Sequence, residues 1–146
     1  MNSEQIHLVQ STFALVRPIS TTAADLFYNR LFTIDPSLRP MFTGNLADQG
    51  RMLMSMLGAA VNGLTSLEST IPVVRQLGAR HVKYGVRDEH YATVGTALLW
   101  TLEQGLAEKF TPEVRDAWTA AYTLLATQMQ LGAAHAAELH DAVEVD

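Results

Sequence analysis

The chain has 146 residues, of which 48% are apolar, enough for one domain with its own hydrophobic core. It has no cysteine, which excludes disulfides and thiolate zinc sites, and its net charge of -5 argues against a nucleic-acid or anionic-membrane surface. The start, Met1-Asn2-Ser3-Glu4-Gln5, lacks the basic-then-apolar plan of a signal peptide, and no apolar run approaches the roughly 20 residues of a spanning helix. A cytoplasmic location is the default expectation.

Apolar residues recur at helical spacing, and nothing alternates long enough for a strand. Ser3 is expected to cap a first helix with Ile6, Val9, Phe13 and Val16 on one face, and Pro18 stops it. A second helix starts near Ser20 or Thr21 and carries Leu26, Phe27, Tyr28, Leu31 and Phe32. Asp35-Pro36 reads as a cap followed by proline at the first helical position, opening a short turn to Met41. Phe42-Thr43-Gly44-Asn45-Leu46 is a corner, and a third long helix begins at Ala47 or Asp48 with Leu53, Met56, Leu57, Ala60, Val61 and Leu64 on a broad face. Ser69 or Thr70 is expected to cap the next helix, through Val73, Val74, Leu77 and His81. Asp88 is expected to cap a fifth, through Tyr91, Val94, Leu98, Leu102 and Leu106. Thr111-Pro112-Glu113 opens the last, striped by Val114, Trp118, Ala121, Leu125 and Met129. Residues 1–132 form one all-α domain; 133–146 are the end of the last helix and an acidic tail, with fraying expected at the terminus.

The stretch with most chemistry runs from Leu77 to Tyr91. His81 stands near the end of one helix, Gly85 breaks the chain, and Tyr91 follows in the next helix, where its hydroxyl can return beside the imidazole. A metal-ligating histidine is held in this way by a second polar group. The bland alternative is a satisfied core histidine. His7 and His90 read as solvated or capping residues.

The order of several short motifs goes further. Leu26-Phe27-Tyr28-Asn29-Arg30-Leu31-Phe32, Asp35-Pro36, Met41-Phe42, Leu77-Gly78-Ala79-Arg80-His81, Tyr91-Ala92-Thr93-Val94-Gly95 and Ala117-Trp118-Thr119-Ala120-Ala121-Tyr122 resemble bacterial single-domain globins and flavohaemoglobins. The resemblance runs from about Ile6 to Met129. It implies a globin fold, six to seven helices in a three-on-three sandwich around a haem pocket, and non-covalent haem b.

By that resemblance His81 is the iron ligand, with its other ring nitrogen donating to a backbone carbonyl or to Tyr91. Phe42 would pack on the porphyrin, or else be an ordinary core aromatic. Tyr28 would be the distal donor to dioxygen, the alternative being a hydroxyl at the surface. Gln49 would be a second donor, to the ligand or to Tyr28, while Leu53 closes the ligand side and Leu57 lines the cavity behind it. Apart from the resemblance, Arg80 and Lys83 flank His81, where one either pairs with a haem propionate or is a solvated charge, and Tyr84 is expected to pack at the pocket rim.

Two departures stand out. The family's proximal glutamate, which completes a His–Tyr–Glu set, aligns with Ala133, and neither Glu138 nor His135 matches it. There is also no G-x-G-x-x-G for a nicotinamide or flavin domain. The resemblance therefore implies reversible oxygen binding, for transport or storage, by a monomer or homodimer. The alternatives are nitric oxide dioxygenation for detoxification, with electrons from a separate reductase, or a haem-free helical interaction domain.

Overall fold

The computed structural model describes residues 1–145, without the side chains of Lys83 and of 137–145. The readings of Lys83 and Glu138 thus lie outside the described residues. Six α-helices follow one another: α1 Ser3–Val16, α2 Ser20–Ile34, α3 Leu46–Asn62, α4 Leu67–Lys83, α5 Asp88–Leu106 and α6 Pro112–Val145. No strand occurs among the described residues. No helix among them is long and apolar enough to cross a membrane.

Helix starts differ from expectation by a residue or more, each for a local reason. Asn2, not Ser3, caps α1: its side chain accepts the Gln5 amide at 2.8 Å, and Gln5 accepts the Asn2 amide at 3.2 Å. Helix α4 begins at Leu67, ahead of Ser69 and Thr70. Instead of capping, the Thr70 hydroxyl donates to the Gly63 carbonyl at 3.0 Å and ties the α3–α4 corner. Arg87, not Asp88, is the cap of α5. The expected Thr111 cap of α6 does form, accepting from the Val114 amide at 3.2 Å.

The core gathers the predicted stripes: Val9, Phe13 and Val16 of α1, Phe27 and Leu31 of α2, Leu98 and Leu102 of α5, and Trp118 and Ala121 of α6. Trp118 is only 1% exposed, and its indole N–H donates to the Thr12 hydroxyl at 2.9 Å, so α6 is pinned to α1 by shape and by a hydrogen bond. Helix α3 lies on α1 and α2, whereas α4 lies along α6. The two crossings are close because the contact residues are small. A Cβ on Gly50 would come within 2.9 Å of the Ala24 Cβ. Gly78 sits on the backbone of Met129, and Gly132 sits reciprocally on the backbone of Arg75. Helices α3 and α4 are joined at the 3-10 turn Gly63–Thr65 and make no comparable contact beyond it.

Candidate functional site

Tyr28 of α2 is 6% exposed and sits among aromatic rings. Its ring is edge-on to Phe27 at 5.3 Å and to Phe42 at 5.4 Å, and nearly parallel to Phe32 at 6.0 Å. Phe42 is delivered by the 3-10 helix Pro36–Met41, whose cap, Asp35, accepts the Ser37 amide at 3.1 Å. Arg39 then holds the corner, with its guanidinium over Phe32 at 5.4 Å and a 2.9 Å hydrogen bond to the Phe42 carbonyl. This apolar enclosure pushes the Tyr28 hydroxyl up to about 12, so Tyr28 is a neutral phenol and a hydrogen-bond donor at any physiological pH. Leu53 and Leu57 of α3 are half-buried beside the same core.

Gln49 differs from expectation. Its amide N–H donates to the Thr43 carbonyl at 3.4 Å rather than to Tyr28. The cause is position: Gln49 lies in the first turn of α3, next to the corner, where a loop carbonyl is within reach.

His81 lies in the last turn of α4. Its backbone carbonyl accepts from the Tyr84 amide at 3.0 Å and the Val86 amide at 3.1 Å, and Gly85, at φ +85°, lets the chain turn back. The His81 Nδ1 is buried without a partner, which leaves Nε2 for a ligand. Burial, and then the neighbouring Arg80 charge, lower its pKa, so the ring is held neutral, the form that binds a metal. Tyr91, 8% exposed, likewise has a buried hydroxyl without a partner. Its pKa is raised by burial and then by Asp88.

The expected His81–Tyr91 hydrogen bond and the alternative bond from His81 to a backbone carbonyl are therefore both absent. Ala133 lies at the Arg75 end of the α4–α6 crossing, next to Gly132, and brings no polar atom to either orphan. Tyr84, the C-cap residue of α4, is 69% exposed. Arg80 is exposed.

Two residues matter more here than their sequence suggests. The Tyr122 hydroxyl donates to the Tyr91 carbonyl at 2.6 Å, and its ring fills the space that a Cβ on Gly95 would occupy. The signal was a glycine facing the aromatic stripe of the last helix. His90 is 7% exposed, and its Nδ1 accepts the Arg87 amide at 3.0 Å; of the two readings, capping is the one observed.

The chain thus holds a neutral imidazole with an unpartnered ring nitrogen at the end of α4, and a protonated phenol among aromatic rings on α2. Among the described residues, no group of three His, Asp or Glu side chains converges. A metal taken by His81 must therefore bring its other donors with it, and a metalloporphyrin does so. The globin family model matches residues 25–129.

The chain belongs to the globin family. Among its relatives, the flavohemoprotein of Vibrio cholerae is 30% identical over 129 residues, 86% of this chain and 33% of that protein. The Bacillus cereus flavohemoprotein is 33% identical over 86% of this chain and 32% of its own length. This globin thus spans about a third of the length of the curated relatives it matches. An engineered carbene transferase from Rhodothermus marinus, provisionally described as a nitric oxide dioxygenase, superposes with a TM-score of 0.82 at 22% identity and 99% coverage of both chains. That likeness establishes the shared globin fold. Haem is the cofactor that family membership brings, and the orphaned His81 Nδ1 and Tyr91 hydroxyl, with the neutral imidazole, fit it.

Proposed function

We propose that this globin is a haem-b protein that binds dioxygen reversibly, with His81 as the axial ligand and Tyr28 as the donor that retains the gas. The observation that carries the reading is the buried Tyr28 phenol, walled by Phe27, Phe32 and Phe42 and held in its protonated form. When bound, haem supplies an iron that takes small diatomic ligands. The chain's own residues decide how long they stay. A hydrogen bond from Tyr28 to a partly charged ligand is worth roughly 1.5–3 kcal/mol, or about 10- to 150-fold in affinity. Gln49 adds a second donor only by giving up its long bond to Thr43, so its contribution is smaller and not additive with that of Tyr28. With haem bound, Phe42 would pack against the porphyrin, Leu53 and Leu57 would exclude water from the bound gas, and the exposed Arg80 could meet a propionate.

The proximal wall favours binding over redox chemistry. An acceptor on the second ring nitrogen raises the basicity of a ligating histidine, and here His81 Nδ1 has none. The test is stopped-flow measurement of oxygen dissociation. Tyr28→Phe is expected to release oxygen at least about tenfold faster, and an unchanged rate removes Tyr28 from the account.

The flavohemoprotein relatives motivate a second reading, nitric oxide dioxygenation with a separate cytoplasmic reductase. The two readings separate on turnover. Repeated consumption of nitric oxide with a reductase and NADH identifies an enzyme; a single turnover identifies a binder.

A further inference from the structure

We propose that His90 is a positioning residue for Tyr91: its Nδ1 holds the first turn of α5 closed and so fixes where the Tyr91 hydroxyl stands. The haem site is the reading on which the last step of this inference rests. Helix α5 starts badly by its sequence, because its cap, Arg87, has a side chain with donors and no acceptor. The Arg87 guanidinium is instead occupied with Glu89 at 3.1 Å. The orphan amide of the cap is met from inside the helix: His90 reaches back and accepts it at 3.0 Å, while the His90 amide donates to the Arg87 carbonyl at 3.0 Å. An imidazole whose Nδ1 accepts must carry its proton on Nε2, so His90 is neutral in this role. Its 7% exposure shows that the ring is packed into the structure and is not a surface cap.

The next residue is Tyr91, whose carbonyl is gripped by the Tyr122 hydroxyl at 2.6 Å. One turn of helix is therefore pinned at two consecutive residues, and the buried Tyr91 hydroxyl points where that turn sends it.

The test compares His90→Gln, whose amide oxygen can accept the same N–H, with His90→Leu, which cannot. All measurements use the full chain as purified. In His90→Leu the Arg87 amide is expected to exchange with solvent at least about tenfold faster, and the Tyr91 ring resonances to move; in His90→Gln both stay close to the parent. In the haem-loaded ferrous protein, the iron–histidine stretching band shifts in His90→Leu and not in His90→Gln. Unchanged Arg87 exchange in a folded His90→Leu overturns the proposal. So does faster exchange with unmoved Tyr91 resonances, which would make the cap merely structural. A parent chain that takes up no haem sinks the globin-site reading, while the amide and Tyr91 signals still decide the role of His90.

Discussion

Gly78 on α4 lies directly on the backbone of Met129 on α6. Neither backbone can rotate aside, so this crossing sets how far the helix bearing His81 stands from the last helix. A Gly78→Ala change gains about 1 kcal/mol in helix propensity. Overpacking costs about 1–3 kcal/mol, and it wins here because the obstacle is a carbonyl rather than a flexible side chain. Because the Cβ would meet a backbone carbonyl, the cost falls at the upper end of that range, and urea denaturation is expected to show a net loss of about 2 kcal/mol, with weaker haem retention; a variant as stable as its parent contradicts the crossing.

Thr12 and Trp118 make the second long-range pin, at 2.9 Å in a fully buried setting. Thr12→Val keeps the volume and removes the acceptor, leaving the indole N–H unsatisfied. The expected cost is about 1–3 kcal/mol by urea denaturation. A variant as stable as its parent would show that the indole finds another acceptor.

Tyr28 predicts an alkaline limit. Its folded pKa, about 12, lies above the ordinary value of 10.0, so the folded state holds this proton more tightly than the unfolded chain does. The stabilisation is complete below pH 10 and is lost as pH rises toward about 12, amounting to roughly 2–3 kcal/mol from this group. Tyr28→Phe should remove that part of the alkaline transition; an identical alkaline limb in both proteins would mean that the phenol is not sequestered.

His81 predicts an acid limit of opposite sign. Its folded pKa is lowered from 6.5 by burial and by Arg80, so its contribution is present above that value and is lost as pH falls through the folded pKa. Stability of the haem-free chain should decline below pH 6.5, and His81→Phe should flatten that decline. An unaltered acid limb would place the imidazole in water.

Local signals in the chain carried much of the architecture. Asp35-Pro36 announces the 3-10 helix that delivers Phe42, Thr111-Pro112 announces α6, and the apolar stripes of α1, α5 and α6 name most of the buried core, with Ile6, Val94, Leu125 and Met129 only half-buried. These depend on neighbours three or four residues apart, so they can be read from order alone. Side-chain partners depend on groups far away in the chain. Gln49 turning to Thr43, Tyr122 reaching Tyr91 and the unpaired His81 Nδ1 could not be read in that way.

By itself the sequence determined an all-helical chain, a candidate iron-ligating histidine and a tyrosine on an apolar face, because helical periodicity and capping are short-range. Only the tertiary structure decided that α4 would lie on α6 and α3 on α2. Those contacts depend on Gly78, Gly132 and Gly50 meeting backbones and side chains from distant parts of the chain. A residue without a side chain announces nothing until the partner that needs the space is beside it.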